Sequence, residues 1–546
     1  MKRSDLPALG LAAALLWLVG YPLLMTLLEA LGGAGGWTIT HFAEFFGRRD
    51  EWLALWRSLW ISAASVVLAA LVGVPLAFLF ERTEFPGRRL LGAIVALPVA
   101  LPPLVGVIAF LFLYGESGFA SRAVQALLGL AEPPWRLVGP GAILLVHAYS
   151  MYVYFYLFTR AGLSRVDAAL LEAAASLGSS PRRTVVRVVL PLLRPALTGA
   201  ALLTFMTSLA SFSAPYLFGG GFRVMTTQIV ASRLNGEIAL AQVETVMLAV
   251  LAFLGLWAMR RADRAEAAAT GVRGVAPARR RLRSPLARAS AGLLGWLLAA
   301  VLLLPHAVLV LVSLVPPFTW LAEPIPPVLN LSNWTALFQP ERLRPVVNSL
   351  WMAAAATAAA VALGVAAARF GARRGRLGGL LEGLIAVPWA IPGTVFAVAL
   401  ATTFNADQPW IGRFVLIGTP WILPLAYLVR NLPLTGRAAL AGFRQLDPAL
   451  EEAASSLGAG RLRRLVRVVL PLLRPAVAAG AGLAFITALG DFVVSIVLYT
   501  YETRPISIEI LSFLRLQDLG MSAVYGVLLM TASATAFLLW GQGEAR

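Results

Sequence analysis

The sequence predicts an all-α, polytopic membrane protein of about twelve transmembrane helices arranged as two parallel six-helix repeats. Three observations carry that expectation. Of 546 residues, 59% are hydrophobic and only 13% charged, with a mean hydropathy of +0.79, whereas a soluble domain is about half apolar and a quarter charged. Apolar stretches recur that are long enough to cross ~30 Å of hydrocarbon at 1.5 Å per residue. The second half of the chain also repeats the first at a constant offset.

Twelve stretches meet the length requirement: roughly 6–28, 58–80, 90–114, 137–159, 195–218, 238–259, 289–315, 346–368, 383–405, 411–429, 475–500 and 519–541. The first follows Lys2 and Arg3, but its apolar run exceeds the ~7–15 residues of a signal-peptide core, so a retained anchor is expected. The third contains Pro98, Pro102 and Pro103, and the ninth Pro388 and Pro392. Proline in a membrane helix frees carbonyls that neighbours must satisfy, and such broken helices commonly line a pathway. The fourth crowds His147 with Tyr149, Tyr152, Tyr154 and Tyr156. Those tyrosines do not fall on one helical stripe, which favours packing and interface anchoring over a cation cage, and His147 reads as a buried, hydrogen-bonded side chain. Gly219 to Gly221, after the fifth span, read as a tightly turned connection, with a gate element as the alternative.

The connections carry the charge, a net 45 − 27 = +18. Arg82, Arg88 and Arg89 follow the second span, five arginines lie in 161–195, nine in 260–288, and Arg369, Arg373, Arg374 and Arg376 follow the eighth. Arginine-rich short loops stay in the cytoplasm, so both termini are expected there, in a multi-pass protein of the cell (inner) membrane. Segment 260–288 has no apolar period and reads as a solvated basic linker between a first repeat, 1–259, and a second, 289–546. The basic excess thus reflects topology in a lipid bilayer, and no nucleic-acid partner is expected.

Composition also excludes chemistry. With no cysteine, and histidine only at 41, 147 and 306, thiolate zinc sites, iron–sulfur clusters, c-type haem and disulfides are ruled out. No metal or other cofactor is expected in the chain. Lys2 is the only lysine, so the G-x-x-x-x-G-K-[ST] phosphate loop cannot occur. No nucleophile-and-base constellation is present, and no catalytic residue is expected. Any ATP that drives this protein must be hydrolysed by another subunit.

The repeat is strongest outside the membrane. Residues 161–197 (AGLSRVDAALLEAAASLGSSPRRTVVRVVLPLLRPAL) match 441–477 (AGFRQLDPALEEAASSLGAGRLRRLVRVVLPLLRPAV) at 23 of 37 positions with no gap, an offset of 452 − 172 = 280. The same offset pairs Thr207 with Thr487 and Phe212 with Phe492; upstream, Ser58-Leu59-Trp60 matches Ser349-Leu350-Trp351. Loops drift unless a partner reads them. Locally the segment encodes a helix, a turn and a helix: Asp167 and Asp447 are N-caps, with Pro448 in the first turn. Ala and Leu then favour helix until Gly178 or Gly458, which can take the left-handed conformation. Ser180-Pro181 starts the second helix, and Pro191 or Pro471 is expected to end it before the next span. The product is a short rigid knob flanked by arginines; an amphipathic pair resting on anionic lipid is the blander reading.

The pattern Glu172-Ala173-Ala174, Gly178, then Leu190-Pro191, repeated as Glu452-Ala453-Ala454, Gly458, Leu470-Pro471, resembles the EAA loop of ABC importer permeases. The whole chain looks like the fused, twelve-span members serving ferric iron, thiamine or polyamine uptake. The resemblance implies that these loops couple to two copies of an ATP-binding cassette ATPase, which binds ATP-Mg, and that an extracytoplasmic solute-binding protein delivers the cargo. The segments beginning at Phe218 and Asp491 look similar to those of fused ferric-iron permeases, which implies ferric iron as the cargo. One departure is a region, 116–137, about ten residues longer than its counterpart.

Charges inside spans cost at least ~2.5–3.5 kcal/mol each at the membrane centre, which singles out Asp491, Glu244 and, by the repeat, Ser211 as pathway candidates. The alternative is that each acid pairs with an arginine or a helix end. A rival architecture is the major-facilitator type, also six plus six spans, whose loop between spans two and three is faintly similar to Arg82–Arg89. That family gives no reason for duplicated long loops after spans four and ten.

Overall fold

A computed structural model describes residues 6–541 except 34–35, 100, 270–276, 282–283, 318, 321–327, 374 and 406–414. Among the described residues, ten helical segments are long and apolar enough to cross a membrane: Leu6–Ala30, Arg49–Arg82, Pro103–Leu128, Pro140–Leu163, Pro181–Leu209, Ile238–Met259, Pro285–Ser313, Pro340–Gly371, Arg461–Leu489 and Leu519–Leu539. An eleventh is the pair Arg376–Ala390 and Gly393–Thr403, bent by 106° where Pro392 cannot continue the backbone ladder. Beyond two-residue strand pairings the described residues are helical or irregular, so the fold is all-α.

The remaining helix, Ile422–Gln445, is long enough to span but carries Arg430, Arg437 and Arg444. It corrects the tenth span expected at 411–429, part of which lies outside the described residues. Ending the span before Arg430 placed it too early, because the charge of Arg430 is met by a carboxylate inside the bundle. The third span, expected as one run over 90–114, is broken into Arg88–Ala96, a short turn at Leu97–Val99, and Pro103–Tyr114. The longer region after it contains a helix, Phe119–Leu128. Its Arg122 guanidinium lies 4.0 Å from the ring centre of Trp320, on the other repeat.

A second correction concerns Pro191 and Pro471. Neither ends a helix. Pro181–Thr184 and Arg461–Arg464 run through wide π-turns at Val185–Val189 and Leu465–Val469 directly into Leu190–Leu209 and Leu470–Leu489. In a regular α-helix the proline ring would strike the carbonyl four residues back; a π-turn widens the backbone at that point and absorbs the clash. The knob and the membrane span are therefore one continuous rod.

The halves interlock. Ala8, Ala12 and Leu15 of the first span pack on Ala367, Leu381, Ile385 and Leu432 of the second half. Reciprocally, Ala291, Ala299 and Leu302 of the seventh pack on Phe80, Leu91, Val95 and Tyr152 of the first half. Within each half, glycine lets spans touch: a Cβ on Gly73 would lie 2.3 Å from the Tyr152 carbonyl oxygen, and one on Gly364 2.9 Å from the Gly436 nitrogen. Close backbone approach of this kind stabilises membrane helix pairs, where lipid offers no hydrophobic drive between helices. The sixth-span helix continues to Ala269, and Arg279 of the expected linker reaches Glu81 at 3.0 Å, beside Arg160 at 3.2 Å.

Candidate functional site: two exposed knobs and a shared cavity

Each knob is built by its own short-range hydrogen bonds. The Asp167 and Asp447 carboxylates accept from the Ala169 and Ala449 amides at 3.1 and 2.9 Å, capping helices Ala168–Ser176 and Pro448–Ser456. Gly178 and Gly458 take φ of +73° and +78°. Their amides donate to the carbonyls of Ala175 and Ser455 at 2.9 Å, and the next amides donate to Ala174 and Ala454 at 3.0 Å, the paired bonds that close a helix C-terminus on a left-handed residue. Ala174 and Ala454 thus supply the carbonyls that fix the turn. Glu172, Ala173, Glu452 and Ala453 are exposed, and neither helix buries a single residue. Leu177 and Leu457, at the tips, are 88% and 89% exposed. Leu190-Pro191 and Leu470-Pro471 sit where each π-turn becomes α-helix.

Between the halves lies a cavity of about 410 Å³. Asp491 and Ser211, equivalent under the repeat, both line it; Glu244 does not. Asp491 Oδ2 lies 3.0 Å from Arg430 Nη1, while Oδ1 accepts from the Val494 amide at 2.8 Å. Its backbone carbonyl accepts from Ser495 and Ser507 hydroxyls at 2.6 and 2.7 Å. One residue therefore holds both the cavity wall and the break in the chain after Leu489. Gly393 makes room for this pair, since a Cβ there would sit 2.0 Å from Arg430 Nη1. In the other half Ser211 Oγ pairs with His147 Nε2 at 2.9 Å, and His147 Nδ1 faces Ser65 and Ser208 at 2.8 and 3.2 Å. The Ser211 carbonyl accepts from Thr226 at 2.7 Å, holding the equivalent break. Tyr149 and Tyr154 also line the cavity, whereas Tyr152 and Tyr156 are packed in the core.

An aromatic cluster borders the cavity at the two breaks. Phe212 and Phe492 pack at 5.6 Å between ring centres, with Tyr216 at 5.1 and 5.9 Å from them, and Gly490 meets Pro102 so closely that a Cβ would lie 2.5 Å away. On the sixth-span helix the lining is made by Leu256 and Met259, which pack near Phe205 and Met206.

Glu244 lies elsewhere, fully buried, its Oε1 accepting from Ser232 at 2.6 Å. Glu51, also fully buried, accepts from Gln228 at 2.9 Å nearby. Among the described residues no group of three or more His, Asp or Glu is placed to hold a metal ion. Sequence reasoning missed Arg430, Glu51 and the aromatic cluster. The pairing of Phe212 with Phe492 was the available signal for the last.

Comparison with known proteins fits this architecture. The family model described as "Binding-protein-dependent transport system inner membrane component" matches twice, at residues 69–267 and 360–542, one match in each repeat. A probable ABC transporter permease protein, y4fN, of Sinorhizobium fredii is 32% identical over 97% of this chain and 94% of its own length. The ferric transport system permease protein FbpB of Actinobacillus pleuropneumoniae is 27% identical over 90% and 71%. The thiamine transport system permease protein ThiP of Brucella abortus is 31% identical over 40% and 39%. With both repeats matched and a relative aligned over nearly its whole length, the chain belongs to the family of binding-protein-dependent transport system inner membrane components, the permeases of ABC importers.

Proposed function

We propose that this chain carries both membrane halves of an ATP-driven importer of ferric iron in the cell (inner) membrane, with both termini cytoplasmic. Two copies of a separate ATPase, each binding ATP-Mg, dock on the knobs around Glu172–Gly178 and Glu452–Gly458, and an extracytoplasmic binding protein delivers the cargo. The observation that carries the reading is the pair of knobs: two helices with no fully buried residue and a bare leucine at each tip favour a surface for a partner. Because each knob is continuous with a membrane rod, closure of the ATPases moves Leu190–Leu209 and Leu470–Leu489, and the breaks at Ser211 and Asp491 carry that motion to the aromatic cluster of Phe212, Tyr216 and Phe492. Ferric iron is favoured by the ferric-transport relatives that match most of this chain.

The test is uptake of radioactive ferric ion into vesicles holding the chain, its ATPase and its binding protein, with thiamine in parallel. ATP-dependent iron accumulation is expected, and none from a proton or sodium gradient alone. Gradient-driven uptake without ATP would refute the importer, and thiamine uptake without iron would refute the cargo.

A further inference from the structure

The two knobs share a motif and an apolar floor, Leu163, Val189 and Leu193 corresponding to Phe443, Val469 and Leu473, but their seats differ at two places. In the first half, Leu171 on the knob helix and Phe78 on the second span join the apolar cluster of Leu163, Val189 and Leu193. Under the repeat offsets of 280 and 291, the same two places in the second half are Glu451 and Arg369. These form an ion pair at 3.7 Å with side chains 36% and 23% exposed, and beside them opens a groove of about 400 Å³ that also borders Asp447, Glu452 and Arg464. The turn differs as well. In the first knob the Ser180 hydroxyl accepts from the Arg183 amide, and Thr184 bonds to Ser179 at 3.0 Å; the second has Gly460, with no side-chain cap, and Ala459 and Arg464 at those positions.

We infer that the knobs are mechanically unequal: the first is a rigid extension of its spans, and the second is compliant, seated by Arg369 and Glu451 and free to tilt into the adjoining groove. Salt does not weaken apolar burial, whereas a partly exposed ion pair is weak and screened. Two identical ATPase subunits therefore meet unlike sockets, and only the second is tuned by ionic strength. That last consequence rests on the coupling role proposed above; the inequality itself does not.

The chain lacks cysteine, so spin labels can be placed cleanly. The full chain in nanodiscs, without ATPase, is labelled at Leu177→Cys with Leu90→Cys, or at Leu457→Cys with Leu380→Cys, all four being exposed positions, and distance distributions are recorded by pulsed spin resonance. From about 0.1 M to about 1 M salt the Debye length falls from about 10 to about 3 Å, and the second pair should broaden roughly twofold while the first is unchanged. Arg369→Phe with Glu451→Leu should abolish that broadening, and Phe78→Arg with Leu171→Glu should confer it on the first knob. Equal widths with equal salt response in the two knobs would overturn the proposal, as would salt broadening that survives the Arg369→Phe/Glu451→Leu exchange. Since no ATPase is present, failure of the coupling role would appear separately, as normal ATPase stimulation when the knobs are broken.

Discussion

Replacing Gly458 by valine tests how the knob's shape is held. A Cβ at this position would meet nothing within 4 Å, so the entire penalty is conformational. At φ +78° an L-residue pays about 1–2 kcal/mol, and a β-branched one belongs at the upper end. If the turn instead leaves the left-handed region, the bonds from Gly458 N to Ser455 O and from Ala459 N to Ala454 O are lost, at about 0.5–1.5 kcal/mol each. Either way the cost is about 1–3 kcal/mol, set against a global stability of order 5–15 kcal/mol. The spans should stay folded while the second helix is re-aimed. Because 1.4 kcal/mol is about tenfold in an equilibrium, ATPase stimulation by loaded binding protein should fall about tenfold in Gly458→Val, and further in the double variant with Gly178→Val. Asparagine tolerates positive φ, so Gly458→Asn should keep most of the activity. The assay is ATPase rate and uptake in vesicles, beside co-purification of the ATPase. Wild-type stimulation and uptake in the Gly178→Val/Gly458→Val double variant would refute the coupling assignment.

Three further outcomes follow from the cavity and its surroundings. Asp491→Asn keeps the acceptor for the Val494 amide but removes the charge facing Arg430, so uptake should fall several-fold with a melting shift under about 3 °C; a larger shift with proportionate loss would make the residue structural. Gly393→Ala drives a Cβ to 2.0 Å from Arg430 Nη1 and should reproduce the Asp491→Asn defect, and the two should not add in a double-variant cycle; additive losses would separate them. Glu244→Gln should leave uptake per assembled transporter unchanged, because Glu244 lies outside the cavity lining; lost uptake at normal assembly would return it to the pathway.

The knobs could be read residue by residue because their determinants are local: a carboxylate two residues from the amide it caps, and a glycine at the one position needing positive φ. The repeat likewise exposed the equivalence of Phe212 with Phe492 and of Ser211 with Asp491. Tertiary contact decided what escaped. Arg430 was hidden because the expected span stopped just short of it at 429, while here Asp491, distant in sequence, pairs with it. The helices running through Pro191 and Pro471 were hidden because a π-turn has no propensity signature. The proximity of Glu51 to Glu244 depends on how the second and sixth spans pack, as does the exchange of first spans between halves. None of these leaves a trace within a window of a few turns.

The central claim is that both knobs, and not lipid or another part of the chain, contact the ATPase. A cysteine introduced at Leu177 or Leu457 and tagged with a thiol-linked photocrosslinker reports that contact directly in the assembled transporter, since no other thiol exists in this chain. Each tip should crosslink to the ATPase in high yield, and the yield should change when ATP is added. Tips that crosslink only to lipid, with the ATPase captured instead from positions elsewhere on the chain, would contradict the account.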